Sequence, residues 1–136
     1  MLAGWAYWQF KIFKDLTTTA GTGAEGFYNL DGSLQEKKVK ALSRTYAQNT
    51  QGTLKKQFFN TSTSHFEIEF VYDHSIKAPT VVYGIKNYEA PTFELYDIEA
   101  GEIIQDASWK ETDYSLEVML GGSAERYDGK SLRLQI

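Results

Sequence analysis

From Phe66 to the last residue the chain is written with period two. Phe66, Ile68, Phe70 and Tyr72 alternate with Glu67 and Glu69. Val81, Tyr83 and Ile85 alternate next, then Phe93 and Leu95, then Ile103 and Ile104. Tyr114, Leu116, Val118 and Leu120 form the cleanest repeat, and Leu132, Leu134 and Ile136 close the chain. Side chains two apart on a strand share a face, so this pattern predicts strands with one face in a core and one in water. Turn signals separate them at residues 60–64, 73–79, 86–91, 100–101, 121–122 and 128–129. About seven short strands at this spacing predict an immunoglobulin-like antiparallel β-sandwich over residues 53–136, and a mostly β chain.

Residues 1–52 have a different grammar. Residues 5–13 are a near-continuous apolar and aromatic run, which suits a strand covered on both faces, as in a parallel sheet. Residues 15–26 are rich in Thr and Gly without a period and predict a long loop. Asp31-Gly32 marks a turn, and Ser33 with Glu36 forms a capping box that predicts a helix start. Val39, Leu42 and Tyr46 give that helix one apolar stripe, and Gly52 is its expected stop. Strand, loop and helix make one βα unit, which leaves most of its apolar surface uncovered by itself. It therefore docks on the sandwich or ends a larger sheet. A complete (β/α)8 barrel needs about 250 residues, and the chain has 136.

Composition excludes several functions. Net charge is −4, from 14 basic and 18 acidic side chains, so nucleic acid is not an expected partner: phosphate binding needs a basic field. Cysteine is absent, which removes disulfides, a thiol nucleophile and a zinc ribbon. No apolar run approaches the roughly 18 residues of a membrane span, and the first residues lack the pattern of a signal peptide. The compartment is not fixed by these features.

Three stretches together carry a resemblance. Gly4-Trp5-Ala6-Tyr7-Trp8-Gln9-Phe10-Lys11 is similar to the eighth barrel strand of glycoside hydrolase family 5. Glu25-Gly26-Phe27-Tyr28, with Asp31-Gly32-Ser33-Leu34, stands where that family leads into its last barrel helix. Arg44, Tyr46, Gln48 and Gly52 resemble the R-x-Y-x-Q-x-x-x-G junction of endoglycoceramidases, where the barrel hands over to a C-terminal β-sandwich. The resemblance implies that residues 1–52 are a β-loop-α fragment of a (β/α)8 barrel and residues 53–136 the sandwich. It implies a retaining parent enzyme that hydrolyses O-glycosyl bonds in glycosphingolipids or related glucosides. Its acid/base Glu and nucleophile Glu belong to the fourth and seventh barrel strands, ahead of residue 1. No catalytic residue is therefore expected in this chain, and no hydrolysis by it alone. The partner it implies is a glycolipid or glycan held by the parent barrel, with peripheral membrane contact left open. A secreted or a lysosomal or vacuolar parent is compatible with it.

Trp8 matches the strand-eight indole that floors the sugar subsite in the resembled family. An indole face stacks on the C–H face of a sugar while its N–H donates. Trp5 and Lys11 are the further substrate-binding candidates, Lys11 because barrel active sites lie at the C-terminal ends of the strands. Core packing for both Trp residues and a plain surface role for Lys11 are the competing readings. Asn60-Thr61-Ser62 is an N-glycosylation sequon in a predicted turn. Glu67 and Glu69 imitate a carboxylate pair, but same-face neighbours on one strand do not face each other across a substrate; a solvated outer face is expected. His65 and His74 flank the same strand and, at roughly 30 Å by strand rise, cannot share a metal. No metal and no cofactor are expected. Ser123 and Ser131 lack a nucleophile-elbow context, and Gly21-x-Gly23 lacks phosphate-loop spacing. Trp109 reads as a core-edge residue or as a carbohydrate or lipid platform. The rival to the hydrolase reading is a non-catalytic β-sandwich module that binds carbohydrate or lipid. Two further rivals are a structural domain without a ligand and an incomplete reading frame.

Overall fold

The computed structural model describes residues 26–29 and 31–136. The expected strand at 5–13, the loop up to residue 25, and Trp5, Trp8 and Lys11 lie outside the described residues. The chain divides between Ser43 and Arg44 into two compact units.

In the first unit Tyr28 and Leu34 form an isolated antiparallel bridge, followed by helix α1, Glu36–Leu42. The capping box is a correction. Asp31 takes Ser33 first: its Oδ1 accepts from the Ser33 N–H at 2.9 Å and from the Ser33 hydroxyl at 2.6 Å. This local Asx-type turn uses up the cap residue. The helix starts three residues later from Gln35, which makes no side-chain cap bond to it; the Gln35 amide instead donates to the carbonyls of Gly26 and Tyr28.

The helix ends at Leu42, not near Gly52. Ser43 is already extended, Thr45 is buried, and its hydroxyl donates to the Gly84 carbonyl and accepts from Asn87. Tyr46 then begins a strand rather than completing a helical stripe. Its long-range pairing outweighs the helical spacing of Val39, Leu42 and Tyr46, since propensity and periodicity are weak beside tertiary contacts.

The second unit, Arg44–Ile136, has the predicted β-sandwich fold, with its first strand ahead of residue 53, the start that the sequence predicts for the sandwich. Its strands are β1 Tyr46–Asn49, β2 Gly52–Phe59, β3 Phe66–Tyr72, β4 Thr80–Tyr83, β5 Glu94–Asp97, β6 Glu102–Ile103, β7 Ala107–Glu111, β8 Ser115–Leu120 and β9 Ser131–Gln135. They form a four-stranded sheet, order β1-β4-β8-β7, and a five-stranded sheet, order β2-β3-β9-β5-β6. Every neighbouring pair is antiparallel. Phe66, Ile68, Phe70 and Tyr72 of β3, Leu132 and Leu134 of β9 and Leu95 of β5 meet Val82 of β4 and Leu116 and Val118 of β8 in one core.

Strand β4 departs from the predicted face. Val81 and Tyr83 do not share the core with Ile85; Thr80 and Val82 point inward and Tyr83 is exposed. Gly84 explains the change. Its φ of +94° turns the chain into a short 3-10 turn, Ile85–Asn87, that brings Ile85 back to the core. A left-handed residue breaks strand parity there.

Asp97, at the end of β5, is only 3% exposed. Its carboxylate accepts from Lys130 Nζ at 2.8 Å and from the N–H groups of Glu99 and Ala100 at 3.1 Å each. The Lys130 hydrogen bond chiefly, with those backbone donors, holds its pKa below the usual 3.8. A depressed carboxylate contributes stability that is present above the unfolded-state value and lost as pH falls through the folded-state value. Asp97→Asn is therefore expected to be less stable at neutral pH and to lose less stability than the wild type on acidification from about pH 5 to about pH 2. Urea unfolding midpoints over that range test this, and parallel curves for the two proteins would refute it.

Candidate functional site

The outer face of the five-stranded sheet carries the carboxylates singled out in the sequence. Glu67 and Glu69 alternate with buried Phe66, Ile68 and Phe70 and so face away from the core, as expected. Lys56 Nζ lies 2.6 Å from Glu67 and 3.8 Å from Glu69, and Arg133 Nε lies 3.8 Å and 3.3 Å from the same two. The hydrogen bond from Lys56 holds Glu67 below the ordinary carboxylate range. Glu67, held low in this way, lacks the raised pKa of a general acid, and Glu69 is tied to the same two cations. Beside them Glu94 accepts from the Tyr96 hydroxyl and, at 2.9 Å, from the Gln135 amide; these two bonds depress Glu94 and the first raises Tyr96. This face is a lattice of hydrogen bonds and ion pairs.

Asn60 ends the β2 side of the β2–β3 turn. Its Oδ1 accepts from the N–H of Ser62 at 2.9 Å and of Thr63 at 3.3 Å, while its own N–H donates to the His65 carbonyl. His65 and His74 lie just beyond the two ends of β3. His74 Nε2 is 3.5 Å from Glu125. Among the described residues no group of three or more His, Asp or Glu could hold a metal ion. Ser123 is engaged by Asp106, which accepts from its hydroxyl at 2.7 Å. Trp109 is half-buried against the core and stacks on Phe93, centroids 5.5 Å apart, which is the core-edge reading.

The four-stranded sheet shows what the sequence reading missed. Tyr46 and Tyr83 are register partners across β1 and β4, with ring centroids 5.4 Å apart. Tyr83 lies 6.3 Å from Tyr114 with ring planes 13° apart, and Lys86 Nζ sits 4.2 Å above the Tyr114 ring. Sequence assigned Tyr46 to a helix stripe and Tyr83 and Tyr114 to core faces. The one available signal was the position of Tyr83 beside Gly84 and of Tyr114 beside Asp113, both next to turns, where alternation stops predicting burial.

The junction residues separate by role. Tyr46 and Gln48 are exposed on β1. Gly52 has φ +145° at the point where the chain passes from one sheet to the other, and a Cβ there would meet the Val71 carbonyl oxygen at 1.9 Å. Gln51 just before it is buried, its N–H on the Thr80 hydroxyl and its amide on the Ile76 carbonyl.

Residues 44–125 match the family model of the glycoside hydrolase family 5 C-terminal domain. Endo-glycoceramidase II from Rhodococcus sp. shares the fold. Its ganglioside GM3 complex aligns with a TM-score of 0.56 at 18% identity, over 81% of this chain and 21% of that one. The same enzyme without a named ligand, and its complex with a cellobiose-like imidazole, each align with a TM-score of 0.55 at 18% identity, over 81% of this chain and 22% of theirs. The chain thus spans about a fifth of the length of these structures. No curated protein matches it. Among the described residues no helix is long and apolar enough to cross a membrane.

Proposed function

The chain belongs to the glycoside hydrolase family 5 C-terminal domain family, and from that premise we propose that it is the C-terminal part of a retaining, endoglycoceramidase-like hydrolase. The observation that carries this reading is the coincidence of two findings on one segment. The family match begins at Arg44, where the sandwich unit also begins, and the sandwich has the fold of an endo-glycoceramidase. In this reading the chain ahead of Arg44 supplies the last βα unit of the barrel. Trp8, with Trp5 and Lys11, lines the sugar subsite of the parent. The substrate is a glycosphingolipid or a related glucoside, bound by the parent barrel. Asn60 is a glycan acceptor in a secreted parent; its Oδ1 is occupied by the turn, and Nδ2 carries no hydrogen bond among the described residues.

Two carboxylates about 5–5.5 Å apart across the scissile bond are needed for retaining hydrolysis, and the described residues present no such pair facing a cleft. The 136-residue protein is expected to release no sugar from GM3 or an aryl β-glucoside above a heat-killed control. A chain extended upstream to include the two family glutamates is expected to cleave GM3. Trp8→Ala in that extended chain should lower kcat/KM about tenfold or more, the loss of one stacking contact in the transition state. Hydrolysis by the 136-residue protein, or an extended chain inert on every β-glycoside, would overturn the reading.

A further inference from the structure

Phe66, Phe70, Tyr72 and Tyr127 of the sandwich are in the core. Tyr46, Tyr83 and Tyr114, like Phe58 on the other sheet, stand outside it, at 42%, 40% and 54% exposure. They are not scattered, because each ring contacts the next. Contiguous exposed aromatic surface marks an interaction site more often than single exposed residues do. Tyrosine adds a polar tip to an apolar body, and none of these three hydroxyls has a hydrogen-bond partner among the described residues.

A cation completes the row. Lys56, Lys110, Lys130 and Arg133 are each paired with a carboxylate. Lys86 is not: its ammonium rests over the Tyr114 ring, and no carboxylate lies within ion-pair distance of it among the described residues. A cation held over a ring face keeps N–H donors for a second partner.

Ring faces, free phenol hydroxyls and one unpaired ammonium are complementary to a ligand with an apolar C–H face, a hydroxyl rim and a negative charge. We infer that Tyr46, Tyr83, Tyr114 and Lys86 form a binding site for a glycan bearing a carboxylate-carrying sugar ring. A membrane surface fits less well. Anionic bilayers are held by clusters of basic residues worth about 1 kcal/mol each, whereas this row has one free lysine in a chain of net charge −4. The inference rests on the sandwich alone and needs neither the parent's activity nor its substrate.

Titration of the 136-residue protein with sialyllactose and with lactose, followed by amide chemical shifts, tests it. Sialyllactose should perturb Tyr46, Tyr83, Lys86 and Ser115, and should bind about tenfold more tightly than lactose through the charge-assisted contact. Lys86→Gln should bring sialyllactose down to the lactose affinity and leave lactose unchanged. Tyr83→Ala should weaken both about tenfold. Tyr114→Phe, which removes only a hydroxyl and keeps the ring, should weaken both less and guards against a folding defect in the first variant. Shifts that miss the row, or equal affinity for the two sugars, overturn the inference. So does Tyr-dependent sedimentation with phosphatidylserine vesicles without any sugar response, or concentration-dependent dimerisation that protects the row.

Discussion

Gly52→Ala is expected to destabilise the sandwich by about 3 kcal/mol or more, counting both backbone strain and the shift of a strand. The cause is double. At φ +145° an L side chain is strained wherever it points, and here the new methyl would stand 1.9 Å from the Val71 carbonyl oxygen and 2.8 Å from its carbon. Both are backbone atoms of β3, so no side chain can swing aside. Gly52 pairs with Tyr72 at the first rung of the β2–β3 ladder, and the residue before it is anchored through buried Gln51. Relief would have to come from moving β2 off its neighbour. Two controls separate the causes. Gly129 has φ +74° but open space around it, and Gly122 has open space and no positive φ. Gly129→Ala should therefore cost about 1 kcal/mol, the strain alone, and Gly122→Ala within about 0.5 kcal/mol of nothing. Urea unfolding with unchanged m-values gives all three. A Gly52→Ala protein as stable as Gly122→Ala would remove the physical reason for a glycine at this junction.

The parts of the fold that were legible in the sequence are those whose two faces see different solvents along their whole length. β3, β8 and β9 alternate without interruption because each is covered on one side by the core and on the other by water or by charged neighbours such as Glu67, Glu69 and Arg133. Alternation failed where a single backbone event reset it. Gly84 does this after β4, and the turn at Asp113 leaves Tyr114 outside although it keeps parity with Leu116. The stretch from Arg44 to Asn49 misled for another reason. Tyr46 keeps helical spacing with Val39 and Leu42, and only the pairing of Tyr46 with Tyr83, 37 residues on by their numbers, makes it a strand. Local pattern carries no record of such a partner. The tyrosine row was invisible for the same cause: it exists only when β1, β4 and the β7–β8 turn are laid side by side. The junction glycine, by contrast, was legible as a position and gained its reason from the Val71 carbonyl.

Phe66→Ala is expected to cost about 3–5 kcal/mol, the range for removing a buried phenyl ring, and a domain of this kind has only about 5–15 kcal/mol to lose. Phe66 is 0% exposed and opens β3, which is paired on both edges. Its N–H donates to the Ile136 carbonyl, its carbonyl accepts from the Ile136 N–H, and it pairs with Phe59 across β2. The ring thus fills the core at a point where three successive pieces of chain converge, and its loss leaves a cavity that hydrogen-bonded strands on either side cannot close. Phe58→Ala is the matched comparison. Phe58 stands one residue from Phe59 on β2, opposite Glu67 on the outer face, and is 48% exposed; its truncation should cost no more than about 1 kcal/mol. The two variants remove the same atoms from adjoining rungs of one ladder, so their difference reads the register directly. A slip of β3 by one residue would exchange its two faces, and the loss at Phe66 would then fall to that at Phe58 in thermal or urea unfolding. Equal, small losses would place Glu67 and Glu69, rather than Phe66 and Ile68, toward the core, and would overturn the assignment of inner and outer faces on which the charged lattice depends.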